Sequence, residues 1–264
     1  MILNALRELW INRQLLMNMS RSDFKSRFSG SYFGVFWAII QPLMTILIFW
    51  FVFQVGFRAQ PISNVPFILW LCAAMIPWNF FSDAIINSTG AFTSYSFVVK
   101  KLVFKISLLP LVKVTASFFI NIAFNILLII IFSLYNYFPG IQIISLIYFN
   151  VCSYLLVTVL AYLLSTLNVF FRDTSQIVGI FLQFGIWLTP IMWEETIIPE
   201  QWRWIVKLNP LYYIINGYRE ALINGHWFFV HPRQTLYFWL VVIVLGVLGL
   251  SFFKRMKSHF ADVL

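Results

Sequence analysis

The sequence predicts an all-helical integral membrane protein with six transmembrane helices. Three observations lead there: 61% of the 264 residues are hydrophobic, only 10% are charged, and the mean hydropathy is +0.85. Soluble domains carry about 25% charged residues, so a soluble globule, a disordered tail and a nucleic-acid-binding domain are excluded. A bilayer core about 30 Å thick takes roughly 20 apolar residues per helical crossing, which leaves room for about five to seven crossings.

The first element is amphipathic. Between Met1 and Ser20, Leu3, Leu6, Trp10 and Met17 recur at helical spacing among Arg7, Glu8 and Arg13, the pattern of a helix lying on a membrane surface. Arg21, Lys25 and Arg27 follow as a basic collar ahead of the first long apolar run. Residues 1–33 thus form a surface region and 34–264 the membrane domain. The scattered charges through Gly34, with no basic start, apolar run and small-residue cleavage site, argue against a cleavable signal peptide.

The spans fall at about 34–56, 66–89, 108–134, 143–170, 175–192 and 234–253. Six crossings put both termini on one side. With that side cytoplasmic, thirteen of the eighteen Lys and Arg lie inside and five outside, namely Arg58, Arg203, Lys207, Arg219 and Arg233. The net charge of +9 therefore reads as a positive-inside orientation with cytoplasmic termini rather than as a nucleic-acid surface. The connection from Trp193 to Arg233 is irregular: Pro199 and Pro210 break it into two apolar stretches, Ile197 to Leu208 and Leu211 to Ile223, each too short to cross. Asn209 before Pro210 reads as an N-cap with proline at the first helical position, and Gly225 as a terminator. Two short re-entrant or interfacial helices follow, either bordering a pathway or capping the outer face.

Chemistry for catalysis is missing from the pattern. No GxxxxGK[ST] phosphate loop occurs, so any ATP must be bound by another subunit. His226, His231 and His259 are not grouped with carboxylates at metal-ligand spacing, and there is no HExxH or GxSxG. Glu194 and Glu195 read as solvated carboxylates at a helix end. Cys72 and Cys152 sit inside apolar runs as packed thiols. Asp83 is the one acidic side chain well inside a predicted span, either a pathway group or an interhelical hydrogen-bond partner. Asn121 and Asn125, one turn apart, carry the same two readings. The 20% aromatic content is divided between lipid-facing anchors and a corridor whose rings stack on sugar faces.

Six motifs in order then bring a family into view. Arg21, Asp23, Lys25, Arg27, Phe28, Ser31, Gly34, Trp37, Gln41, Pro42 and Leu43 form a basic collar running into G-x-x-W-x-x-x-x-P-L. Pro77, Trp78, Asn79 and Phe81 form PWxxF, and Lys101, Phe104 and Pro110 form most of K-x-x-F-P-x-x-x-x-P. Arg172-Asp173, Pro190-Ile191 and Asn209-Pro210 with Tyr218-Arg219 complete the set. Over almost its whole length the chain resembles the permease subunits of ABC-2 type exporters of lipid-linked polysaccharides. It looks most like the teichoic acid translocation permeases of Gram-positive bacteria, on Val65-Pro66-Phe67 and the tail from Met256-Lys257 through Phe260 to Leu264, with O-antigen or capsule export as the neighbouring reading. Lys105 stands where the family has proline, and Thr189 where it has serine.

The resemblance implies an ABC-2 (type V) exporter transmembrane domain in the bacterial plasma membrane. It implies a homodimer enclosing the path, two copies of a separate ATP-binding subunit that hold ATP and Mg, a lipid-linked teichoic acid or related polysaccharide as substrate, and contacts with membrane lipids. By the same resemblance, 91–101 is an ATPase-coupling helix, with Phe92, Ser94, Tyr95, Lys100 and Lys101 as its contacts. Arg21, Lys25 and Arg27 admit the anionic lipid phosphate or anchor the chain. Trp37, Trp78, Asp83, Asn121 and Asn125 are path candidates, and Pro190, Trp193, Trp202, Tyr212, Tyr218 and Arg219 belong to an outer gate over about 193–230. An ATP-independent transporter or channel is the rival reading, and a glycan-modifying enzyme is disfavoured by the missing catalytic cluster.

Overall fold

The computed structural model describes residues 10–58, 65–97, 105–137 and 140–263. Leu3, Leu6, Arg7, Glu8, Lys100, Lys101 and Phe104 lie outside the described residues. The chain is all-helical. Helix α1, Arg13–Phe28, takes in the basic collar Arg21, Lys25 and Arg27, so the expected surface helix and collar are one continuous element here. Gly30 and Gly34, both at positive φ, turn the chain out of α1. Helix α2, Phe36–Trp50, continues through a π turn, Phe51–Gly56. Helix α3 is Phe67–Thr89, and a single turn, α4, is Ala91–Ser94.

A 3-10 turn, Ile106–Leu108, leads into α5, Leu109–Leu134, whose Pro110 sits in the first turn where no backbone donor is needed. Helix α6 is Ile144–Phe170 and α7 is Thr174–Leu188. Two 3-10 turns and the five-residue α8, Arg203–Lys207, precede α9, Pro210–Leu222. Helix α10, Pro232–Met256, and the terminal turn α11, Phe260–Val263, close the chain.

Among the described residues, five helical segments are long and apolar enough to span: Phe36–Gly56, Phe67–Thr89, Ile106–Leu134, Gly140–Phe170 and Pro232–His259. The expected fifth span is α7, whose 15 residues reach only about 22 Å. Its helix stops before Pro190, where Thr189 is extended, because a residue preceding proline is pushed out of the helical region. Six spans therefore become five long helices and one short one.

Burial ranks the helices. Helix α3 is central, 72% buried over its most apolar stretch, whereas α2 is 11% buried and displays Phe36, Met44, Leu47, Ile48 and Phe51 outward. Helix α7 buries only Val178. Around α3 pack α5, α6, α7 and α9, and α10 lies on α6. The α6–α10 crossing is tight because Gly249 has no side chain: a Cβ there would lie 3.0 Å from the Val159 carbonyl oxygen.

The irregular connection departs most from expectation. The stretch Ile197 to Leu208 yields only short turns and α8, whereas Leu211 to Ile223 yields a true helix, α9. Asn209 caps it, its Oδ1 accepting from the Leu211 N–H at 3.0 Å, and Pro210 opens it. Gly225 lies at φ +64 just beyond. Rather than lying on the surface, α9 buries ten residues, among them Leu211, Tyr213, Ile215 and Tyr218. Gly217 makes this possible, since a Cβ there would overlap the Phe149 ring of α6.

Candidate translocation site

Two polar assemblies occupy opposite ends of α3. Trp70 marks one and Asp83 the other, thirteen residues or about 20 Å apart along the helix.

At the Asp83 end, the i,i+4 pair Asp23 and Arg27 turns one face of α1 inward. The Arg27 guanidinium donates to Asp23 Oδ2 at 3.0 Å, to Asp83 Oδ2 at 3.4 Å, to Ser117 Oγ at 3.0 Å and to the Lys113 carbonyl at 3.2 Å. Asp23 Oδ1 accepts from Lys113 Nζ at 2.6 Å and from the Tyr95 hydroxyl at 2.8 Å. Burial by itself pushes the Asp23 carboxyl up, but Lys113, Arg27 and the Tyr95 hydroxyl outweigh it and hold the group below its ordinary value. The cluster joins α1, α3 and α5 with the chain just after α4. It also separates the collar: Arg21 and Lys25 are exposed, whereas Arg27 is spent on internal partners.

The expected coupling segment divides in the same way. Phe92 is fully buried, stacked on Phe253 with ring centroids 5.6 Å apart and packed on Phe260 at 4.9 Å. It fastens α4 to the C-terminal helices and offers no exposed contact. Ser94 is exposed and bonds to the Gly90 carbonyl. Tyr95 ties the segment to α1.

Beside the cluster lies a cavity of about 380 Å³ between α2, α3 and α5. Trp37, Asp83 and Asn121 line it together, along with Gln41, Thr45, Asn79 and Ser117. Trp78 does not: it lines a separate apolar pocket with Gly185 and Leu211. Asn125 does not either. Its amide accepts from the Tyr218 hydroxyl at 3.0 Å and exchanges bonds with Asn150 at 3.1 Å, while Asn121 donates to Asn150 at 2.6 Å. Asn125 is thus engaged in hydrogen bonds, and Asn121 both hydrogen-bonds Asn150 and lines the cavity. Asp83 likewise both lines the cavity and pairs with Arg27.

At the Trp70 end, Arg219 is buried and donates to the carbonyls of Pro190 at 2.6 Å and Ile191 at 2.9 Å, with its guanidinium 3.3 Å from the Trp70 ring centre. It pins the chain after α7 to α9 and α3. The Tyr212 hydroxyl donates to Glu195, which also pairs with Lys207 at 3.4 Å, so Glu195 is engaged rather than merely solvated. The Thr189 hydroxyl accepts from Asn209 at 2.9 Å, which gives the retained hydroxyl its use. Trp193 bonds to the Trp187 carbonyl, Trp202 is exposed, and Tyr218 is buried in the asparagine cluster rather than placed at an opening. Cys72 and Cys152 are buried free thiols, as expected.

Lys113 and Asn150 complete the two clusters as partners that the sequence pattern alone does not mark as site residues. The available signals are a lysine inside the third apolar run and an amide, Asn150, in the first half of the fourth.

The family described as ABC-2 type transporter matches residues 14–223, four-fifths of the chain and every helix from α1 to α9. The chain belongs to the ABC-2 type transporter family. Two Klebsiella pneumoniae proteins named O-antigen export system permease protein RfbA are similar to it, one 29% identical over 256 residues and one 30% identical over 251, with 95% of both chains covered in each case. A Myxococcus xanthus protein of the same name is 25% identical over 264 residues, covering 99% of both. This ABC-2 chain is thus a transport membrane subunit and not itself an enzyme. The relatives carry the permease expectation, and they do not carry its teichoic acid refinement.

Proposed function

We propose that the chain is the permease of an ATP-driven exporter that moves a lipid-linked polysaccharide of the O-antigen class across the bacterial plasma membrane. The observation that carries this is the end-to-end similarity to O-antigen permeases, covering 95% of both chains at 30% identity. The O-antigen reading takes precedence over the teichoic acid one for that reason.

The sequence has no phosphate loop, so ATP and Mg belong to a separate subunit, two copies of which serve two copies of this chain. The outward apolar faces of α2 and α7 suit lipid and a second copy. The basic bias of thirteen to five supports cytoplasmic termini, with α1 and α4 then on the ATPase side. A push on the segment after α4 reaches Asp23 through Tyr95, Arg27 through Asp23, and the cavity wall through Asp83. This is a contiguous chain of bonds from docking face to path.

Affinity purification of the full chain from its own membranes tests the reading. A stoichiometric partner with a phosphate loop, and lipid-linked glycan bound to the complex, are expected. Export by the purified chain alone, with no ATP-binding partner, would establish the rival secondary transporter.

A further inference from the structure

Among the described residues, Asp83 is the one ionisable side chain lining the cavity between α2, α3 and α5. Its side chain is 46% exposed, whereas that of Arg27, which answers it at 3.4 Å, is 14% exposed and outside the lining. Arg27 is also committed to Asp23, Ser117 and the Lys113 carbonyl. Asp23, Lys113 and Arg27 are nearly buried and Asp83 is not, so the member of the cluster presented to the cavity is a carboxylate. The remaining polar lining is neutral: the amides of Gln41, Asn79 and Asn121 and hydroxyls such as Thr45. The amides of Gln41 and Asn121 and the Thr45 hydroxyl, beside Trp37, match the hydroxyl and ring oxygens of an uncharged sugar. A phosphodiester in the same place would face Asp83 with no lining cation to receive it.

We propose that this cavity takes the uncharged, hydroxyl-rich repeats of a glycan, and that Asp83 sets a preference against chains carrying a phosphodiester in every repeat. The inference rests on the polysaccharide-export reading and deepens it. It gives a physical reason, separate from the relatives, for a neutral polysaccharide over a polyol-phosphate polymer such as a teichoic acid.

The test uses membrane vesicles holding the chain with its ATP-binding subunit. They are offered two lipid-linked polymers of equal length, a neutral hexose polymer and a glycerol phosphate polymer. The wild type is expected to transport the neutral polymer with about tenfold preference, the size of one charge–charge repulsion at a partly solvated separation. Asp83→Asn brings the preference near unity, and Asp83→Glu retains it. Asn79→Asp leaves the Arg27–Asp83 pair in place and strengthens the preference, so it reports on cavity charge even where Asp83→Asn lowers the yield of folded protein. Equal transport of both polymers by the wild type, or a preference unmoved by both Asp83→Asn and Asn79→Asp, would overturn the inference while leaving export intact. Transport of neither polymer by a complex with bound ATPase would overturn the export reading, and this inference with it.

Discussion

Asp23 is the carboxylate on which the α1 cluster turns, and replacing it with Asn keeps its shape while removing its charge. In the native protein its side chain is 2% exposed and faces two cations, Lys113 and Arg27, themselves 13% and 14% exposed. An amide oxygen at Oδ1 still accepts from Lys113 and Tyr95, but the amide nitrogen then meets the Arg27 Nε–H, donor against donor. Breaking a buried ion pair from one side costs about 3–5 kcal/mol. Arg27 keeps Asp83 as a second partner, so the lower end, about 3 kcal/mol, is expected. The assay is thermal unfolding of the full chain in lipid nanodiscs. Because the folded carboxyl titrates below its ordinary value of 3.8, its contribution is present above that pH and fades as the pH falls through the lower folded value. The gap between wild type and Asp23→Asn should therefore be full at pH 7 and narrow below pH 3.8. Equal melting of the two proteins at pH 7 would refute the reasoning.

Gly217→Ala places a methyl into the Phe149 ring and should destabilise by about 1–3 kcal/mol, with Phe149→Leu restoring much of the loss in a melting experiment. Arg219→Lys replaces a planar fork bonded to two carbonyls and stacked on Trp70 with a single ammonium. It should loosen the chain after α7, seen as faster proteolysis near Pro190 with α1 unaffected. Phe92→Ala empties the space against Phe253 and Phe260 and should cost about 3–5 kcal/mol, with the C-terminal helix losing protection in hydrogen exchange. A loss confined to α4 would show that Phe92 does not hold the C-terminal helix.

Length and apolarity made the long spans legible, because a bilayer demands about 20 uninterrupted apolar residues whatever their partners. The Asn209–Pro210 start and the Gly225 stop were legible for a local reason: caps are set by side chains within a few residues. Helix α7 misled because its apolar run continues past Pro190 while its backbone cannot. Helix α9 misled more deeply. Its apolar face reads the same whether it meets lipid or protein, and only Gly217, fitted against Phe149, shows that the bundle admits it. Arg27 had the composition of a substrate-binding cation, yet Lys113, Asp83 and Ser117 are 86, 56 and 90 residues away in sequence, a distance that no spacing rule bridges. Asp83 and Asn121 were found as polar groups in apolar surroundings. Their partners were set by packing among α1, α3, α5 and α6.

The most direct measurement of the central claim is the position of lipid-linked polysaccharide in cells from which this chain has been deleted. Sidedness is read by a glycan-binding probe on intact and on opened cells. Polymer is expected to stay on the cytoplasmic face in the deletion and to return to the outer face with the wild-type chain. Unchanged polysaccharide on the outer face in the absence of the chain would contradict it.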